Sequence, residues 1–295
     1  RSGASGCGGS STIPPGRWAD FGGLHSAGFT RRDGVVDANG KTPRVDWKLL
    51  GNEFVPRDGQ LYNYNPTNFF QRPDDRMNAG FFGKYEVSDK AEVYVESSFM
   101  KSESNAQIAY SGTFGNIEAI PCYNPLLSAQ IHQVVCGDYV GMAGSHAPDF
   151  ATAAEALAYI SNLQLSIGTV VNGETIIDYK SPLVSLKRNV EGNPRQSIYN
   201  YKSFTNTVGV RGDINDDWSY DVYYQTSVVN YNNEYRNDLS VTNINRAVDV
   251  ISVDGVPTCV SVLDGTDTSC VPYNLFQGGL PGDQGIQGVI DGGQE

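Results

Sequence analysis

Two stretches of the chain alternate apolar and polar side chains with a period of two, as a strand with two unlike faces does. Over Arg76–Val87 one face carries Met77, Ala79, Phe81, Gly83, Tyr85 and Val87. The other carries Arg76, Asn78, Gly80, Phe82, Lys84 and Glu86, and only Phe82 breaks the pattern. A tight Ser88-Asp89-Lys90 turn leads into Ala91–Lys101, where Val93, Val95 and Phe99 oppose Glu92, Glu96 and Ser98. The same design returns in Phe204–Ile214, with Val208, Val210, Gly212 and Ile214 against Thr205, Thr207, Arg211 and Asp213. After Asn215-Asp216-Asp217, Trp218–Asn230 sets Trp218, Tyr220, Val222, Tyr224 and Val228 against Ser219, Asp221, Gln225 and Ser227. The two hairpins form a weak internal repeat.

Between and around them the pattern is irregular. Residues 1–75 are rich in Gly, Pro and Asp, with a possible hairpin from Val45 to Phe54. Thr152–Glu155 reads as a capping box ahead of one amphipathic helix carrying Phe150, Ala154, Leu157 and Ile160 on one stripe. Asn172-Gly173 and Asp254-Gly255 are hairpin cues. Gly278–Glu295 shows neither cap nor strand.

Spans of about 11–13 residues, at roughly 3.3 Å each and tilted, cover an apolar band of about 25 Å. Turns at one end are short and connections at the other long, as in outer-membrane barrels; a soluble sandwich spaces its turns more evenly. Tyr85, Trp218 and Tyr220 sit where an aromatic girdle would. The expected fold is all-β: a partial antiparallel transmembrane β-barrel of about four spanning strands, with long extracellular loops and one short loop helix. Residues 1–75, 102–203 and 231–295 become outer loops, and 76–101 and 204–230 the hairpins. Ala91–Lys101 should pair with Phe204–Ile214, with Val95 and Val210 on one lipid-facing side. Arg76, Lys84, Glu92, Glu96, Arg211, Asp213 and Asp221 would face the lumen. Four strands cannot close a barrel, so the chain is expected to be a fragment of something larger.

Charge narrows the partners. With 33 acidic and 21 basic residues the net charge is −12, which argues against nucleic acid and against a polybasic membrane anchor. No run approaches the roughly 18 apolar residues of a membrane helix. The chain opens on Arg1 without a signal peptide, so an upstream segment is expected. A mean hydropathy of −0.35 fits alternating strands as well as a soluble protein.

Specific runs carry a resemblance: Asn65 through Tyr85, Glu92 through Glu96, Ala106 through Phe114, Cys122 through Gln130, Asn189 through Arg195 and Cys270 through Phe276. Together they resemble TonB-dependent outer-membrane receptors. The resemblance implies a barrel of about 22 strands with a plug in its lumen. It also implies a location in the bacterial outer membrane, contact with its lipid, and import of a scarce nutrient driven through the TonB complex. The alternative is a secreted all-β protein binding a ligand or glycan.

No enzymatic chemistry is expected. Glu92 and Glu96 share a face, but nothing holds a substrate between them. No serine elbow, phosphate loop, zinc motif or cofactor motif occurs. Asp37-Ala-Asn-Gly and Asp264-Gly-Thr-Asp-Thr lack the spacing of calcium loops and read as turns. In an oxidising compartment, four of the five cysteines suggest local disulfides, Cys122–Cys136 and Cys259–Cys270, with Cys7 left over. Zinc is the rival reading, but His25, His132 and His146 show no ligand spacing. Tyr62, Tyr64, Phe69 and Phe70 crowd together before the first hairpin, either as ligand contacts or as loop packing.

Overall fold

The structure, a computed structural model, describes residues 8–19, 46–117, 120–136, 148–166, 170–171, 174–175, 180–181 and 184–277. In chain order the strands begin with β1 (Arg17–Ala19), β2 (Asp46–Leu50) and β3 (Glu53–Pro56). The long strands β4 (Asp74–Ser88) and β5 (Ala91–Tyr110) follow, then β6 (Ile120–Pro121) and helix α1 (Ala129–Cys136). Next come β7 (Asp149–Phe150), α2 (Ala153–Ser166), β8 (Val170–Val171), β9 (Glu174–Thr175), β10 (Lys180–Ser181) and β11 (Val184–Leu186). The chain then runs through β12 (Pro194–Asn215), β13 (Trp218–Arg236), α3 (Val241–Val248), β14 (Val250–Val253), β15 (Val256–Cys259) and α4 (Val260–Leu263).

These elements divide into two units, one of residues 68–108 and 195–236, the other of the remainder. The larger unit mixes short sheets and helices around one core containing Trp18, Phe54, Ile120, Tyr123, Ile131, Ile160, Ile251, Tyr273 and Phe276. One sheet runs β11-β1-β2-β3, another β15-β14-β7, and two strand pairs stand apart. Asp46 is clasped by Arg17 at 2.7 Å and Arg57 at 3.0 Å, tying β1 to the β2–β3 hairpin. Burial pushes the Asp46 carboxyl up, but the two guanidinium groups outweigh it and hold the group below its ordinary range.

Local cues explain several elements. The Thr152–Glu155 capping box closes in both directions: Glu155 N donates to Thr152 Oγ1, and Thr152 N to the Glu155 carboxylate, at 3.3 and 3.2 Å. Asp254 and Gly255 both take positive φ, 51° and 72°, the type I′ geometry that joins β14 to β15. β8 and β9 pair antiparallel on either side of Asn172-Gly173, which lie outside the described residues. α3 buries Ile244, Ala247 and Val248 on one face, and the Ser240 side chain caps it.

The smaller unit is a single antiparallel sheet in the order β13-β12-β5-β4. The two sequence hairpins are therefore neighbours, a pairing expected from barrel order but found here in an open sheet. Cross-strand contacts set the central register: Glu92 meets Arg211, Ser97 meets Asn206 and Gln107 meets Gln196. Tyr94 lies over Gly209 in the same register.

This is not the all-β fragment of a transmembrane barrel that alternation and the resemblance to TonB-dependent receptors led us to expect. The described fold mixes helices with sheets, and each of its sheets is open. Period-two alternation specifies a strand with unlike faces; it does not specify whether lipid, water or protein meets the apolar one. An open sheet leaves edge groups unpaired, at several kcal/mol each in hydrocarbon. The receptor and import function, outer-membrane location, lipid contact and TonB-complex partnership all rested on the barrel and fall with it. The alternative of a secreted all-β binding protein fails on the same mixture of helix and sheet, since segments read as loops build a helix-containing core.

Candidate interaction surface

The register of the four-stranded sheet sorts its side chains onto two faces. Arg76, Lys84, Glu92, Glu96, Arg211, Asp213 and Asp221 share the polar one, because Lys84 stands opposite Tyr94, Phe82 opposite Glu96, and Arg211 opposite Asp221. Four of the seven join in one network. Glu92 accepts from Lys84 at 2.9 Å and from Arg211 at 2.8 Å. Those bonds, the Lys84 one first, hold the Glu92 carboxyl below its ordinary range. Tyr94 donates to Asp221 at 2.8 Å, which raises its phenol, and the Arg211 guanidinium lies 5.1 Å from the Tyr94 ring centre. Gly209 makes the stack possible, since a Cβ there would stand 2.5 Å from the Tyr94 ring.

The other three are not drawn in. Arg76 pairs with Asp74 at 3.4 Å, Glu96 lines an open trough with Phe82, Ser98, Thr205 and Thr207, and Asp213 lies beside the turns. Glu86 stands directly across from Glu92, a like charge, and no ion pair forms at Glu86 among the described residues.

The opposite face is apolar and open. Phe81 is 62% exposed, Tyr85 74%, Val222 65% and Tyr224 73%, and Met77, Val208, Trp218 and Val228 are exposed with them. An exposed apolar patch of this extent marks an interaction surface or an aggregation hazard. Both edges are open as well. β4 and β13 end the strand order, so each hydrogen-bonds on one side only among the described residues. Such edges are templates for pairing with another strand.

Of the aromatic cluster, Tyr62 covers the Arg188 guanidinium at 5.2 Å and bridges Ser10 through its backbone. Burial raises its phenol above the ordinary value. Tyr64 is half-buried, whereas Phe69 and Phe70 are exposed. Cys259 and Cys270 form a disulfide. Cys122 is disulfide-bonded and buried; the Cys136 side chain, Cys7, His25 and His146 lie outside the described residues. His132 is buried, with Nε2 3.1 Å from the Cys122 carbonyl oxygen. Asp264 and Asp267 each turn back on the chain, accepting from Thr266 and from Ser269. No group of His, Cys, Asp and Glu among the described residues is placed to hold a metal ion.

Sequence reading missed the buried polar knot of the larger unit. Lys187 and Glu191 are fully buried and paired at 2.8 Å, while Arg188 reaches the Tyr110 carbonyl at 2.8 Å and packs 5.0 Å from the Phe114 ring. Nothing in the spacing of Lys187, Arg188 and Glu191 distinguishes them from a solvated segment. No known protein family matches the chain, and no curated protein does.

Proposed function

We propose that the chain is a non-enzymatic assembly protein whose four-stranded sheet is extended by strands of another polypeptide chain. The observation that carries this reading is the pair of open edges, β4 and β13, each beside an exposed apolar face. A partner strand would satisfy the outward backbone groups and extend the apolar face at the same time. The polar network on the other face supports a structural part for those side chains: its members are engaged with one another instead of converging on a ligand. Hydrogen exchange on the full chain, read at rising protein concentration beside sedimentation, tests the proposal. Association should slow alternate amides along β4 or β13 by tenfold or more. A chain that stays monomeric, or associates without protecting either edge, would overturn it.

A further inference from the structure

We infer that β4 is a self-pairing edge: two copies of this chain join β4 to β4 antiparallel about a two-fold axis through Phe81. The inference rests on the assembly reading above and names the partner. An isologous contact requires a strand that complements itself in reverse, and charge decides the register. With Phe81 on the axis, Arg76 of each copy stands opposite Glu86 of the other, so the complementary pair forms twice. This supplies a cation for Glu86, which stands across from the like charge of Glu92 and forms no ion pair among the described residues. The same register sets Met77 opposite Tyr85, a sulfur–aromatic contact, and Gly80 opposite Phe82, which is 83% exposed and gains room there.

Neighbouring registers are worse. A slip of two residues one way sets Arg76 against Lys84 and Asp74 against Glu86. A slip the other way sets Asp75 against Asp89 and leaves Arg76 against Ser88. The β13 edge has no equivalent: its charged residues are Asp221, Glu234 and Arg236, and setting Arg236 opposite Glu234 of a second copy centres the register on Tyr235, at the end of the strand. A two-fold axis normal to the sheet keeps the apolar faces on one side, joining them into one surface across the dimer, and it closes where a β4-to-β13 contact would propagate.

Charge swaps in the full chain, followed by sedimentation equilibrium, test this. Arg76→Glu places like charges opposite one another twice and should weaken the dimer about five-fold or more. Glu86→Arg should weaken it similarly, although the swap moves the net charge of −12 two units toward zero. The double variant R76E/E86R should restore association. The rescue can act only between copies, since the two residues lie ten positions apart on one extended strand. Phe81→Cys gives a second readout that tolerates a weakened dimer: oxidation should crosslink it to itself, and Met77→Cys and Tyr85→Cys should not self-link. If edge amides are protected on association but the swap pair fails to rescue, the two-fold register is wrong and the assembly reading survives. If no association occurs at all, both fall.

Discussion

Among single residues, the ion pair of Lys187 and Glu191 is the most exacting feature of the larger unit. Both side chains are fully buried, and Lys187 Nζ also donates to the carbonyls of Gln277 and Pro14 at 3.3 and 3.4 Å. Taking two charges from water costs several kcal/mol per ion, and only close geometry with further partners repays it. Glu191→Ala would strand a buried ammonium and should lower stability by about 3–5 kcal/mol in urea titration. The double variant K187M/E191M, which removes both charges while keeping apolar volume, should lose less than either single charge deletion. A loss in the double variant equal to the sum of the two single losses would show that the charges are not energetically coupled. Such a pair is invisible in one sequence, because charged residues are almost never fully buried and nothing local marks an exception.

At the level of elements, the sheet is most sensitive where glycine lets backbone approach backbone. A Cβ on Gly212 would lie 1.9 Å from the Lys90 carbonyl oxygen, inside any tolerable contact. Tyr220 donates to the same oxygen at 2.9 Å. Gly212→Ala must therefore move backbone and should destabilise the sheet by about 1–3 kcal/mol. Gly51→Ala offers an imperfect comparison, since its site is open but its φ is positive at 63°. Thermal denaturation should show a loss of sheet signal specific to Gly212→Ala; indifference there would mean that Lys90 yields easily. The four long strands and the two hairpins they form were legible because alternation is a local signal repeated over many residues; the β5–β12 pairing between hairpins was expected only from barrel order, which no local pattern carries. The full strand lengths were not legible: β5 runs on to Tyr110 through Ser102, Glu103, Ser104 and Asn105, where both faces are polar. The I′ turn and capping box were legible for the same local reason. Helix α3 carries Val241, Ile244 and Val248 at helical spacing behind Ser240, but so short a run does not separate helix from loop by pattern alone. The short sheets of the larger unit depend on pairings such as Trp18 with Trp47 and with Ser185, which no local pattern announces.

For the molecule as a whole, net charge and apolar exposure pull association in opposite directions, and their magnitudes predict how salt acts. Each copy carries a net charge of −12, so two copies repel before their edges meet. That repulsion reaches about 30 Å at 0.01 M salt and about 10 Å at 0.1 M. The exposed Arg76–Glu86 contacts contribute only about 0–1 kcal/mol each and are screened by the same salt. Burial of apolar side chains on the joined face and new backbone hydrogen bonds depend little on ionic strength. Repulsion between whole copies should therefore outweigh the local pairs. Association should strengthen as salt rises from 0.01 to about 0.15 M. It should strengthen again as pH falls from 7 toward the isoelectric point near 4.7, where the net charge vanishes. The order matters for the register argument: salt reports the sum of all charges, whereas Glu86→Arg reports one position. A dimer that weakens with added salt and strengthens in Glu86→Arg would reverse both signs, leaving neither the self-complementary edge nor the apolar face as its driving force.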